Sequence, residues 1–280
     1  MFLFPTHFVE SLLEEDLYLY DLTSLALGLE DQPGEVRALS KGAGVAAGVE
    51  VAQKLFQLAG AEVETRALSG EVLKPGDLIL TARGPVGRLH GAYKIAQNVL
   101  EYAGGIATRT RQIVDKAKSV SEVEVLVTRK HFPGTKKLSL SAALAGGAQI
   151  HRTGLSDSIL IFDQHYQFLG GIEGLAQRLP LVKKKYPERT IAVEVANPAE
   201  AALAVRGGAD IVQLEKFPLT DLQSIVASLK AVNPEVKVVA AGGVNADNAA
   251  DYAASGVDGL VTTWPFFGKP QDVKMAFKTL

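Results

Sequence analysis

The C-terminal half of the chain alternates short β-rich apolar runs with Ala-rich stretches of helical period. Strands are predicted over 122–127, 149–150, 159–162, 191–195, 211–214, 237–241 and 259–262. Helical patterns fall between them over 198–206, 221–232 and 246–255. Asn197 and Thr220 occupy N-cap positions, and Gly207 and Gly256 read as helix stops. Strand–helix alternation predicts a parallel sheet with right-handed crossovers. Seven strands are one short of a closed eight-stranded barrel. An open α/β barrel and an open doubly wound sheet both fit the pattern.

The N-terminal half has a different texture. Residues 36–40 and 62–67 read as strands, and 45–59 as a helix ended by Gly60. Lys74-Pro75-Gly76-Asp77 is a turn signal between two β-rich runs. From His90 to Lys118 the period is helical, with a break expected at Gly104-Gly105. This predicts an α+β domain of about one hundred residues ahead of the barrel.

Composition narrows the class. The chain has 280 residues, 47% hydrophobic and 21% charged, an ordinary globular profile. The absence of cysteine rules out disulfides and thiolate metal sites and fits a reducing, cytoplasmic setting. The first residues lack a basic n-region, so no secretory signal is expected. No apolar run reaches the roughly 18 residues of a membrane span. A pI near 6.2 argues against general nucleic-acid binding.

Charge distribution adds chemistry. From Thr128 to Leu155 there is no Asp or Glu, but there are Arg129, Lys130, Lys136, Lys137, His151 and Arg152. On a chain of net charge -2, such a segment predicts a site for a small polyanion. Barrels of this type keep their chemistry at the C-terminal strand ends. There the sequence offers Arg129 and Lys130 after the first strand, His151 and Arg152 after the second, and Asp163 after the third. Glu194, Glu215, Gly242-Gly243 and Thr262-Thr263 follow on the later strands. Each has a plainer reading as solvated charge, ion pair or tight turn. Glu194 is the hardest to explain as packing, since an unpaired carboxylate inside an apolar run is costly. The layout suits an anionic substrate, a divalent metal and a phosphate.

The motif order is specific. Thr128-Arg129-Lys130, then Pro133-Gly134, Gly146-Gly147 and His151-Arg152-x-Gly154-Leu155-x-Asp157 resemble the barrel of nicotinate-nucleotide pyrophosphorylases, or quinolinate phosphoribosyltransferases. Glu14-Glu15-Asp16, Asp21-Leu22-Thr23-Ser24, Ala103–Thr108 with Arg111, Val193-Glu194-Val195, Gly208-Ala209-Asp210 and Gly242-Gly243 extend the resemblance over nearly the whole chain. There are departures. Phe162 stands where the family has a lysine. Its LDN motif is Leu214-Glu215-Lys216, and Lys94 replaces an arginine. Val239 and Ala241 replace an acid and a serine, and 263–268 replace its GALTHS loop. This variant pattern is similar to the branch of pyrophosphorylases associated with molybdate-transport genes.

The resemblance implies a type II phosphoribosyltransferase-like fold. An N-terminal α/β sandwich (1–113) would precede an open seven-stranded α/β barrel (114–269), and a C-terminal helix (270–280) would pack back on the first domain. It implies a homodimer in which Lys94 reaches the partner's site. The implied activity transfers 5-phosphoribosyl from phosphoribosyl pyrophosphate to a nitrogen of a small anionic acceptor. Glu194 and Glu215 would hold Mg²⁺; Gly242, Gly243 and Thr263 the 5′-phosphate; Lys130 and Lys136 the pyrophosphate. Arg129, His151, Arg152 and Lys94 would bind acid groups of the acceptor, with Phe162 beside its ring. A functional link to a molybdate transporter follows from the same branch. Three other readings stay open: an authentic quinolinate enzyme, a Schiff-base lyase using Lys130, and a non-catalytic sensor of phosphoribosyl compounds or molybdate.

Overall fold

The computed structural model describes residues 3–280, and the chain divides into two compact units. The first comprises Met1–Arg111, Phe132–Gly147 and Pro265–Leu280; the second, Gln112–His131 and Ala148–Trp264. Among the described residues no helix is long and apolar enough to cross a membrane.

In the first unit a four-stranded antiparallel sheet runs in the order Val273–Thr279, Pro33–Ser40, Leu78–Pro85, Glu62–Thr65. The helix Val49–Leu58 and the long helix starting at Val86 share its core, through Leu55, Phe56, Leu80, Leu89 and Ala96. The turn at Lys74–Asp77 forms as predicted, with Asp77 N donating to Lys74 O. The two flanking strands belong to different sheets, however.

Three expectations are corrected here. The C-terminal segment is not a helix: Val273–Thr279 is an edge strand, in register from Gly34↔Thr279 to Ser40↔Val273. Val273, Met275 and Phe277 alternate with Lys274, Ala276 and Lys278, which is the period of a strand. Second, Val86–Lys118 is one unbroken helix. A Cβ at Gly105 would lie 2.5 Å from the backbone oxygen of Lys269, so this glycine admits a close chain crossing. The helix carries a propensity penalty of about 1 kcal/mol for each of its glycines. Third, the barrel segment is interrupted. The helix Lys136–Ala145 groups with the first unit, where Ala142 packs with Ala103 and Ala107.

The second unit holds seven parallel strands, numbered here β1 (Glu124–Val127), β2 (Gln149–Ile150), β3 (Ile159–Ile161), β4 (Ile191–Val195), β5 (Ile211–Glu215), β6 (Lys237–Ala241) and β7 (Gly259–Thr262). Their order is β2-β1-β7-β6-β5-β4-β3. First and last strands are neighbours, so the sheet curls into an open α/β barrel with its seam between β2 and β3. Inside, Val239, Ala241 and Val261 cluster with Leu126 and Ile211. Helices Gly171–Lys185, Pro198–Gly207, Leu219–Val232 and Ala249–Ala254 connect the strands. Asn197 caps as predicted, its Oδ1 accepting from Glu200 N at 3.0 Å. Thr220 does not cap, because the helix already starts at Leu219, behind Pro218. Its hydroxyl meets Asp221 instead.

Candidate active site

The C-terminal ends of the seven strands enclose a cavity of about 670 Å³, within the range of small-molecule sites. Arg129, Lys130, His151, Arg152, Phe162, Glu194, Glu215, Gly242, Gly243 and Thr263 all line it. Strand order explains how residues far apart in sequence converge. β1 lies between β2 and β7, which brings the cationic ends of β1 and β2 beside Thr263. β4, β5 and β6 are consecutive neighbours and carry the carboxylates and glycines.

The β1 and β7 ends are laced together. Thr128 N donates to Thr262 O at 3.0 Å, and the hydroxyls of Thr128 and Thr263 lie 2.9 Å apart. Lys130 N donates to Thr128 Oγ1 at 3.3 Å. Thr262 turns back, its hydroxyl donating to Val244 O at 2.7 Å and accepting from Trp264 N.

Past β2, Arg152 is 8% exposed, and its guanidinium stands 5.7 Å from the Phe162 ring centroid. Phe162, just past β3, stacks at 22° on His165, whose Nδ1 accepts from Phe162 N. Burial, with the charges of Arg152 and Arg129, pushes the His151 pKa down to about 4. His151 was expected to help hold an acid group. It is neutral near pH 7, so it offers hydrogen bonds but no charge. Burial and Arg129 also lower the pKa of Arg152.

Glu194 on β4 faces Glu215 and Gln213 on β5. Burial raises its pKa, and the charge of Glu215 adds to the rise. A hydrogen bond from Gln213 Nε2 to Glu194 Oε2 opposes it, as does Lys130. Glu215 also has Lys216 Nζ at 3.9 Å. Among the described residues no group of three or more His, Cys, Asp or Glu is placed to hold a metal unaided. Two carboxylates of which one resists ionisation are nonetheless a fitting partial ligand set for Mg²⁺, which takes one or two carboxylates and completes its shell with water and substrate oxygens.

The β6 end is shaped by glycine. Gly242 and Gly243 have φ of 87° and 82°, the left-handed region. A Cβ on Gly242 would come within 2.5 Å of Lys216 Cγ and 2.9 Å of Glu215 Oε1. The following helix starts only at Ala249 and is six residues long. The amides of Asn245 and Asp247 are already bonded to Asn248 Oδ1 and Asn245 Oδ1. An anion here therefore meets the Gly242–Gly243 backbone rather than the helix start.

Lys94 and Lys136 do not line this cavity; both belong to the first unit. Lys94 sits mid-helix, donating to Gln97 Oε1 at 3.1 Å with Nζ 5.2 Å from the Tyr93 ring centroid. Lys136 opens the helix Lys136–Ala145. Sequence reasoning assigned no role to Gln213, Trp264 or Lys216, all of which line the cavity. Lys216 has φ 57°, the sole positive value at a non-glycine residue in the described backbone. Such a conformation is costly and concentrates at functional sites. Gln213 could have been found by the argument that found Glu194, a polar side chain in an apolar run.

Comparison with known proteins agrees with this geometry. Residues 21–104 match the family described as "Quinolinate phosphoribosyl transferase, N-terminal domain", and 106–275 its "C-terminal domain". The chain is 42% identical to "Putative pyrophosphorylase ModD" of Rhodobacter capsulatus, over 91% of this chain and 98% of that one. To the Pasteurella multocida protein of the same name it is 35% identical, with 98% of each covered. To "Probable nicotinate-nucleotide pyrophosphorylase [carboxylating]" of Archaeoglobus fulgidus it is 35% identical, over 80% of this chain and 86% of that one. The crystal structure of NadC from Streptococcus pyogenes superposes with a TM-score of 0.90 at 25% identity, covering 100% and 99% of the two chains.

Proposed function

Because the chain belongs to the quinolinate phosphoribosyl transferase family and is a phosphoribosyltransferase, we propose that it moves 5-phosphoribosyl from phosphoribosyl pyrophosphate to a nitrogen of a planar acceptor carrying fewer carboxylates than quinolinate. The observation that carries this is the sorting of one cavity by strand: cations on β1 and β2, carboxylates on β4 and β5, left-handed glycines on β6. That sorting supports a pyrophosphate and an acceptor acid group at the cationic ends, a sugar beside the carboxylates and a 5′-phosphate at the glycines.

Each residue's task follows from its chemistry. Lys130 attracts the pyrophosphate. The Gly242 and Gly243 amides and the Thr263 hydroxyl receive the 5′-phosphate. Glu194 and Glu215 would hold Mg²⁺, which when bound neutralises charge on the pyrophosphate oxygens. As the C1–O bond loosens, the sugar gains positive character, and the same carboxylates stabilise it electrostatically. Arg129 and Arg152 orient an acid group of the acceptor, and neutral His151 hydrogen-bonds beside them. The Phe162 ring stacks on the acceptor plane.

Two further features belong to this reading. The enzyme works as a homodimer in which Lys94 serves the partner's site; exposed Tyr18, Leu19 and Leu22 on the first unit leave apolar surface for a second copy. Its cellular role is linked to molybdate transport, a part of the proposal that rests on the variant motif pattern of the sequence. A Schiff-base lyase or a sensor gains no support from the family.

The test is a thermal-shift measurement with phosphoribosyl pyrophosphate, with and without Mg²⁺. Ligand at 100 times its Kd stabilises by about 2.7 kcal/mol, so a rise in Tm that requires both components is expected. No rise at millimolar ligand overturns the assignment.

A further inference from the structure

Gln213 is buried in the middle of β5 at 4% exposure, yet it lines the cavity. Its two polar atoms are used unequally. Nε2 donates to Glu194 Oε2, whereas Oε1 is buried with no hydrogen-bond partner. With Glu194 ionised the amide cannot be reversed, because a carboxylate only accepts hydrogen bonds and must face the NH₂ end. The register explains why the protein leaves the carbonyl unanswered. Gln213 lies opposite Glu194 on one side and Val239 on the other. Glu194 takes the donor, and Val239 has nothing to give. The interior neighbours on β6 and β7 are apolar too, Val239, Ala241 and Val261.

A buried acceptor without a partner costs more than a formed hydrogen bond gains. Such an atom on a residue that lines a ligand cavity calls for a donor carried by the ligand. A carboxylate or phosphate oxygen has no proton to offer at neutral pH, so the anionic ends of a substrate do not fit it. A hydroxyl does. Two residues along the same strand face lies Glu215, which lines the same cavity together with Glu194. We infer that Gln213 is a substrate-contacting specificity residue whose Oε1 accepts a hydrogen bond from a hydroxyl of the bound sugar, making the enzyme selective for ribosyl over deoxyribosyl phosphates. This deepens the phosphoribosyl reading and rests on it. A site built to bond a hydroxyl rejects the analogue lacking it, because its own acceptor is then left unpaired.

The experiment compares binding of ribose 5-phosphate with its 2-deoxy and 3-deoxy analogues by calorimetry, in the native enzyme and in Gln213→Met. Methionine keeps the length and burial of glutamine without the carbonyl. The native enzyme should prefer ribose 5-phosphate. In Gln213→Met that preference should fall roughly five- to tenfold for one of the two analogues. A merely structural role for Gln213 predicts that all three affinities drop by the same factor, and that result overturns the inference while the phosphoribosyl reading stands. Failure of the native enzyme to bind any of the three removes both. A crystal structure of the native enzyme with ribose 5-phosphate decides the point without any variant. Oε1 should lie within about 3.2 Å of a sugar hydroxyl. A protein group or an ordered water in that place overturns the assignment.

Discussion

The guanidinium of Arg152 stands 5.7 Å from the centre of the Phe162 ring, and both line the cavity. By the family resemblance the ring stands where a lysine would add a further cation, beside Arg129 and Arg152, to grip a dicarboxylate. A phenyl ring gives a desolvated carboxylate no hydrogen bond. Turnover of quinolinate should therefore be poor. Losing one charge-assisted contact costs about 1.5–3 kcal/mol, at least one decade in kcat/KM, and the stranded carboxylate adds to that. Phe162→Lys should raise activity on quinolinate in a steady-state assay. Native turnover matching an authentic quinolinate enzyme, unchanged by the substitution, would show that the ring is neutral.

Glu194 and Glu215 are expected to act as a pair. Glu194→Gln keeps shape and hydrogen-bonding capacity but removes the charge. Mg²⁺-dependent binding of phosphoribosyl pyrophosphate should disappear while the melting temperature is held or rises, because a buried carboxylate with a raised pKa is itself a burden. Calorimetry checks the binding and a thermal melt the fold. Unchanged affinity sinks the assigned role.

His151 predicts a pH dependence of stability. Its pKa is about 4 in the folded protein and about 6.5 in the unfolded chain. Between these values the unfolded state holds the extra proton, so stability is intact above pH 6.5 and declines as pH falls toward 4. The full contribution is on the order of 3 kcal/mol. In urea titrations from pH 7.5 to 4, His151→Gln should flatten this part of the curve. An unaltered slope would mean that other groups carry it.

Lys94 tests the assembly. Chains carrying Lys94→Ala and Arg152→Ala, co-expressed with different tags and purified as heterodimers, should regain one intact site of two. About half of native activity is expected, against near zero for either mutant homodimer. Activity no higher than the homodimers would place Lys94 in its own subunit's site or in none.

Much of the barrel was legible because its strands are short apolar runs bounded by turn residues. Four strands, Gln149–Ile150, Ile191–Val195, Lys237–Ala241 and Gly259–Thr262, match the expected limits. The cavity residues on strand ends followed from the parallel topology alone. What failed depended on partners distant in sequence. Gly104-Gly105 looked like a helix break, because nothing local shows that Lys269 crosses there. The helix expected at 270–280 came from the resemblance alone, whereas the alternation of Val273–Thr279 is itself that of a strand. Gln213 was overlooked because one amide in Ile-Val-Gln-Leu-Glu resembles ordinary amphipathic alternation. Only the neighbouring strands reveal that its carbonyl has no partner.

The seam between β2 and β3 has an evolutionary consequence. His151 and Arg152 follow one free edge of the sheet and Phe162 follows the other. No backbone ladder bonds those edges to each other, whereas Glu194 and Gln213 sit on β4 and β5 in the continuous ladder, and Gly242 and Gly243 directly follow β6. Substitutions on the edge strands can respace the groups proposed to meet an acceptor without disturbing the register of the strands proposed to hold the sugar and phosphates. Such a scaffold can exchange one acceptor for another while conserving its transfer chemistry. Phe162 would then be the trace of one such exchange.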